Sequence, residues 1–259
     1  MAKSTDDKTR IMPVGTVERV IIVGCGGTGS ILAEHICRMI KGYQLDTKIM
    51  LADGDTVEQA NITRQNFAPH EIGAYKAEAL ALRLSGQFGM EVQAHPQYVG
   101  SADLQYGMRG NELLISCTDT LISRKQIAQG MCERTLWLDA GNELHHGQAV
   151  IGTTRKKLAL QAVYRDYDKK PFVADLPNIA AVNPGVMRAR RTASKAGCAA
   201  QPFALQGFGV NAMSALAAAT IAKQVLVDKK VSMAAIYFNV SEGRMISRDI
   251  TKDLFKQWR

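Results

Sequence analysis

An apolar run that halts at a cluster of glycines, a helix-periodic stretch directly behind it, and a second apolar run ending on an aspartate together predict an α/β fold. The expected architecture is a Rossmann-like, mostly parallel sheet flanked by helices, with an antiparallel C-terminal extension and a long crossover loop. Composition agrees: 46% hydrophobic and 22% charged residues, with 22 Gly against 7 Pro, belong to a folded protein and exclude a disordered or collagen-like chain. With 259 residues the chain can bury a full core, and residues 17–259 are expected to form one domain behind a flexible extension at 1–16.

Residues 17–23 (VERVIIV) predict the first strand, and 28–41 place Ile31, Leu32, His35, Ile36, Met39 and Ile40 at helical spacing. Residues 48–52 (KIMLA) form a second buried-type strand that ends at Asp53, completing a βαβ unit. Helix formers fill 74–88, a loose alternation marks 91–99 as a strand, and 112–116 (ELLIS) reads as a buried strand. A helix over 120–133 and a strand over 135–139 (TLWLD) follow. Past Gly141 the pattern changes: 147–154 suits an antiparallel strand, and 155–195 loses periodicity and gains Pro171, Pro177 and Pro184, which predicts the long crossover. An apolar helix over 209–227 and a hairpin of 234–240 with 244–250 close the chain.

The glycines Gly24, Gly26 and Gly29 fit G-x-G-x-x-G immediately after a strand and at the start of a helix, a turn that lets phosphate oxygens approach helix N–H groups. Asp53, 24 residues beyond Gly29, is placed to accept hydrogen bonds from ribose hydroxyls. Alone, these features leave NAD, FAD and ATP open. The loop after the second strand separates them, because Asn61, Arg64 and Gln65, with Lys76 behind, form a set suited to a polyphosphate. A dehydrogenase needs little there, since its nicotinamide is approached from later strands.

In VGCGGTGS (residues 23–30), DGDTVEQANITRQ (53–65), IGAYKAEAL (72–80) and SCTDT (116–120), the sequence resembles the ThiF/MoeB/HesA family of ubiquitin-activating-enzyme-like adenylyltransferases. It looks closest to ThiF-like proteins of plasmid or mobile-element gene clusters. The resemblance implies ATP- and Mg²⁺-dependent adenylation of the C-terminal glycine carboxylate of a small ubiquitin-like or sulfur-carrier protein, by a homodimer. A cytoplasmic location is expected by default, because residues 1–15 carry five charged side chains and no continuous apolar run. The resemblance further implies that Gly24, Gly26, Gly27 and Gly29 line the phosphates, Asp53 holds the ribose, Asn61, Arg64 and Lys76 contact phosphate, and Asp119 holds Mg²⁺. Asp55, Gln65 and Thr118 complete the expected nucleotide contacts, and Arg64, Lys76, Asp119 and Cys198 the catalytic set. Departures accompany it: no paired CxxC motif occurs, the Arg-rich N-terminal helix is short or missing, and Thr120 stands where relatives commonly carry Asn.

Five cysteines without a CxxC pair argue against a disulfide framework. Cys198 is the candidate for thioester formation, because it precedes 209–216 (GVNAMSAL), which resembles the segment after the family cysteine. Cys25, Cys37, Cys117 and Cys132 read as small packing residues. The longest uncharged stretch, 196–222, is broken by Gln201, Pro202, Gln206, Gly207, Gly209 and Asn211, so no membrane helix is expected.

Three rival functions share the early motifs: an NAD(P)-dependent oxidoreductase, an enzyme that adenylates a carboxylate on a modified tRNA base, and a catalytically inactive interaction protein of the same fold. The net charge of +8 gives nucleic acid some weight as a partner. That excess is local, since 155–195 holds ten Lys and Arg against three Asp. The basic crossover, 155–198, is expected to lie over the nucleotide site and to receive an acidic carrier or its tail.

Overall fold

The computed structural model describes residues 8–100, 110–132, 135–190 and 209–259. Eight strands form one sheet in the order β10-β9-β7-β6-β5-β2-β3-β4. Its parallel part comprises β2 (Arg19–Val23), β3 (Lys48–Ala52), β4 (Val92–His95), β5 (Glu112–Ser116) and β6 (Leu136–Asn142). The antiparallel extension adds β7 (His146–Gly152), β9 (Met233–Asn239) and β10 (Arg244–Asp249). A two-stranded sheet pairs β1 (Met12–Pro13) with β8 (Lys230–Val231). The expected Rossmann-like arrangement with its antiparallel C-terminal part is thus present.

The apolar runs are strands because both faces of the sheet are covered. Val20 and Ile22 of β2 join one buried cluster, Ile21 and Val23 the other. On the first face lie α1 (Gly27–Gly42), α2 (Lys76–Phe88) and α5 (Val210–Leu226), and on the second lie α3 (Leu121–Gly130) and two single helical turns at Ile179–Val182 and Gly185–Arg188. All five residues of β5 are buried, as the centre of a doubly covered sheet requires. The alanines of α5 let it lie close against α1 and against the backs of β6 and β7.

Register places the strand ends level: Val23 faces both Ala52 and Ser116, Ala52 faces His95, and Ser116 faces Asp139. The chain leaves β2 toward β3 and β4, then returns to the other side of β2 for β5, so a crevice opens beyond Val23 and Ser116.

Two expectations need correction. Residues 8–14 are not loose: Met12 is buried, Arg10 N–H donates to the Ile250 carbonyl at 2.8 Å, and the Tyr167 hydroxyl reaches the carbonyls of Lys8 and Ile250 at 2.8 and 2.7 Å. Nor is the crossover aperiodic, for it opens with α4 (Lys157–Asp166), an amphipathic helix that seats Leu160 and Val163 in the core. Leu158 lies off the buried face, 80% exposed, and this apolar residue out of register blurs the helical spacing in sequence. The 310 segment Lys252–Trp258 packs against α4, and Tyr167 meets Phe255 at 6.0 Å between ring centroids.

The same contacts fix the position of the basic residues. Ile250 follows the end of β10, and β10 runs antiparallel to β9, so α4 lies at the sheet end opposite the crevice. Of the ten cations counted in 155–195, Arg155, Lys156, Lys157, Arg165, Lys169 and Lys170 belong there and not over the crevice. The segment then crosses the second face, where the Lys125 ammonium of α3 donates to the Ala189 carbonyl at 2.8 Å. No helix among the described residues is long and apolar enough to cross a membrane.

Candidate nucleotide site

The crevice is a cleft of about 1140 Å³ whose wall includes Gly24, Gly26, Gly27, Asp53, Asp55, Asn61, Arg64, Gln65, Lys76, Thr118 and Asp119. Residues far apart in sequence therefore meet as expected. Gly29 stands behind the wall: a Cβ there would fall 1.8 Å from the Gly24 carbonyl oxygen, so its role is to let α1 start against the turn. Gly24 has φ +93°, and a Cβ on it would press on the Cys117 carbonyl at 2.8 Å. At the N-terminus of α1 no side chain caps the helix and no acid sits in its first turn. The N–H groups that a helix start leaves open are thus available to an anion.

Asp53 is already engaged. Its Oδ2 accepts from Cys25 N–H at 2.6 Å and its Oδ1 from Asp55 N–H at 2.8 Å, so the acid that ends β3 also holds the glycine turn in place. Burial pushes its carboxyl above the ordinary value, and the N–H groups of Asp55 and Cys25 draw it partly back. Each oxygen retains acceptor capacity for a ribose hydroxyl.

Lys76, at the start of α2, is 3% exposed, and its ammonium lies 3.0 Å from Asp55 Oδ2. The other Asp55 oxygen accepts from the Tyr98 hydroxyl. Burial raises the Asp55 carboxyl, but the bonds from Tyr98 and Lys76 outweigh it and leave it below its ordinary value. The Tyr98 hydroxyl is pushed up to about 12, chiefly by its bond to Asp55. Tyr98 gave no sequence signal, because only the fold brings the end of β4 beside the loop after β3.

Three buried polar atoms on the cleft wall have no partner among the described residues: Asn61 Nδ2, Gln65 Oε1 and Thr118 Oγ1. Buried polar groups are ordinarily paired, so these fit a site that a polar ligand completes. Asp119 is exposed at the end of β5, and no group of three or more His, Cys, Asp or Glu side chains among the described residues forms a metal cage. A single carboxylate beside phosphate oxygens nevertheless suits Mg²⁺, which keeps several waters and needs few protein ligands. Thr120 caps α3 by accepting from Ser123 N–H at 3.2 Å, which accounts for its presence without a ligand.

Below the cleft lies an ion pair that sequence reading missed. Arg124 Nε donates to Asp139 Oδ1 at 2.8 Å, and Ser116 Oγ donates to the same oxygen at 2.6 Å while accepting from Trp137 Nε1 at 2.7 Å. Asp139 is fully buried, and Arg124 reaches the cleft wall. The pairing depends on strand register, which no motif announces.

Of the thiols read as packing residues, Cys25 and Cys117 are raised well above their ordinary values and Cys37 to about 12, each chiefly by burial. A buried, protonated thiol is a poor nucleophile. Cys198 and Arg191 lie outside the described residues.

A glycine turn, an acid at the end of β3 and a polar cleft at the switch point of a mostly parallel sheet define a Rossmann-like α/β protein. The ThiF family pattern matches residues 16–256, and the chain belongs to that family. Among known proteins, ubiquitin-like modifier-activating enzyme 5 of Branchiostoma floridae is 31% identical over 136 residues, covering 47% of this chain and 32% of the relative. The Arabidopsis thaliana enzyme of the same name is 31% identical over 140 residues, covering 47% and 31%. The chain thus matches about a third of the length of these relatives. Crystal structures of Escherichia coli MccB with MccA-N7isoASN and with ATP superimpose with a TM-score of 0.57 each, at 16% and 15% identity. They cover 90% of this chain and 65% and 64% of MccB, and at such identity they speak for the fold alone.

Proposed function

We propose that the protein adenylates the C-terminal glycine carboxylate of a small ubiquitin-like or sulfur-carrier protein, using ATP. The observation that carries this reading is the junction of a cap-free helix start with the buried ammonium of Lys76 and the fork of Arg64 around one cleft. Family membership and the names of the relatives support the same reaction.

In this account Asp53 orients the ribose, and the α1 N–H groups with Asn61 hold the phosphates. A carboxylate oxygen of the carrier forms a bond to the α-phosphorus, the bond from that phosphorus to the bridging oxygen breaks, and pyrophosphate leaves with the electron pair. Arg64 and Lys76 stabilise the charge that gathers on the α-phosphate and on the departing group. Lys76 reaches it by exchanging Asp55 for phosphate, and Tyr98 keeps Asp55 in place meanwhile. Mg²⁺, held by Asp119 and phosphate oxygens, would offset the charge of the triphosphate. A second transfer to Cys198 is part of the proposal: its thiolate attacks the acyl carbon, forms a thioester and releases AMP. A reducing-agent-sensitive conjugate lost in Cys198→Ala tests that step, and a conjugate that persists in the variant rejects it.

Calorimetric titration with ATP plus Mg²⁺ and separately with NAD⁺ tests the nucleotide assignment. ATP binding that falls about ten- to a hundredfold in Lys76→Ala supports it, as loss of a charge-assisted hydrogen bond predicts. Binding of NAD⁺ with no binding of ATP would overturn it in favour of an oxidoreductase.

A further inference from the structure

Arg124 brings to the cleft more donors than the ion pair beneath it uses. A guanidinium carries five N–H donors in a rigid fork. Nε is engaged by Asp139 Oδ1 at 2.8 Å, and among the described residues neither Nη1 nor Nη2 has a hydrogen-bond partner. Asp139 Oδ2 likewise has none, so the pair is held through one nitrogen and one oxygen instead of the two-point contact that arginine and carboxylate often make. Arg124 is 9% exposed and lies on the cleft wall, so its unused donors face the cleft from an otherwise buried side chain.

The surroundings hold that fork in place. Ser116 Oγ, itself fixed by Trp137 Nε1, donates to the same Asp139 oxygen that Nε uses. On the other side the fork lies against Gly141, where a Cβ would come 2.7 Å from Nη2. Gly141 also lines the cleft, and its missing side chain leaves the Nη groups uncovered. One residue further along β6, Asn142 Nδ2 donates to Asn211 Oδ1 at 2.8 Å and to Thr28 Oγ1 at 3.2 Å, which pins this end of the strand to the first turns of α5 and α1. A purely structural ion pair needs no open floor, and a second contact to Asp139 Oδ2 would satisfy its buried charges better.

Position separates the fork from the groups assigned to the nucleotide. Asp53 follows β3 and Lys76 pairs with Asp55 just beyond it, whereas Arg124 sits against the end of β6, with β5 and β2 in between. The glycine turn after β2 is thus flanked by the ribose-side acid on one hand and by a guanidinium on the other. A nucleotide laid from Asp53 to the α1 N–H groups leaves the fork facing the second reactant. A planar pair of donors matches a carboxylate, and the second reactant of an adenylation is a carboxylate.

Resting on the adenylation reading above, we propose that Arg124 receives the carboxylate of the acyl donor, with Gly141 as the open floor of that subsite. One carboxylate oxygen is held by the Nη groups and becomes the carbonyl oxygen of the acyl adenylate. The other forms the bond to the α-phosphorus, and pyrophosphate leaves with the electron pair. The guanidinium keeps its charge and its Nε bond to Asp139 throughout.

Gly141→Ala and Arg124→Lys test the assignment. The first keeps the arginine and presses a methyl group on the end of its flexible side chain, and the second keeps a cation beside Asp139 but removes the fork. The probe is a purified β-grasp protein ending in glycine that supports pyrophosphate exchange with the wild-type protein, prepared with a free C-terminal carboxylate and with a C-terminal amide. Calorimetry on protein loaded with a non-hydrolysable ATP analogue should show the wild type preferring the carboxylate about tenfold or more, a preference that shrinks at least about fivefold in both variants. Exchange kcat/KM for the carrier should fall about ten- to a hundredfold, while affinity for the ATP analogue stays within about threefold of wild type and so reports a folded site. An undiminished carboxylate preference in Gly141→Ala, or a loss of analogue affinity in that variant as large as its loss of carrier kcat/KM, would overturn the proposal. Wild-type protein that binds the analogue but exchanges pyrophosphate with no such carrier would instead strike the adenylation reading itself.

Discussion

Asp55 shows how a residue's neighbours decide its chemistry. Its carboxylate is held by the Lys76 ammonium and the Tyr98 hydroxyl, so its pKa should lie below the ordinary carboxylate value of about 3.9. A depressed carboxylate adds stability above its unfolded pKa, and that increment is lost as pH falls through the folded value. Carboxyl-carbon NMR titration should therefore place the Asp55 midpoint below that of an ordinary carboxylate, and Tyr98→Phe should move it upward. An unmoved midpoint would mean that the hydroxyl contributes nothing. At this scale the sequence revealed part of the site. Asp53, Arg64 and Lys76 stand in a recognisable spacing, whereas Tyr98, Asn142 and Asn211 are ordinary residue types that acquire meaning only through the fold.

The strands and helices were largely legible because the parallel sheet is buried on both faces, which writes each strand as a continuous apolar run. β3 and β5 occupy the residues that their apolar runs predict, while α4 was hidden because the exposed Leu158 blurs its apolar spacing. The glycine turn invites a comparison within one motif. Gly29→Ala should abolish folding or cost several kcal/mol, since its Cβ would meet backbone at 1.8 Å. Gly26→Ala should fold normally, because the nearest atom is a Gln65 side-chain nitrogen at 3.7 Å, and should weaken ATP binding by narrowing the approach to α1. Urea unfolding and calorimetry distinguish these outcomes, and equal losses of stability in both variants would contradict the assignment. For the pair beneath the cleft, Arg124→Met should cost about 3–5 kcal/mol by leaving Asp139 buried and unpaired. Replacing both partners by apolar residues should cost less, again by urea unfolding.

Across the molecule, the described cations of the crossover divide into two places. Those of 155–170 sit beyond the N-terminal ends of the parallel strands, while Arg188 and Arg190 flank Ala189, whose carbonyl accepts from Lys125 of α3 on the second face. Composition could show that the excess is local, but the turn of the chain around the sheet end decides which part faces the site. Neutralising Arg188 and Arg190 should therefore slow association with an acidic carrier and flatten its salt dependence, and neutralising Arg155, Lys156 and Lys157 should leave both unchanged. Stopped-flow binding at several ionic strengths checks the contrast, and the reverse order would place the carrier at the other end of the sheet. The central claim, that this cleft activates a protein carboxylate with ATP, is tested most directly by exchange of labelled pyrophosphate into ATP. The assay uses purified β-grasp-type small proteins that end in glycine, beginning with any encoded beside this gene. The account predicts exchange that requires the carrier's free C-terminal carboxylate and is lost in Lys76→Ala. ATP binding with no exchange for any such protein would contradict it.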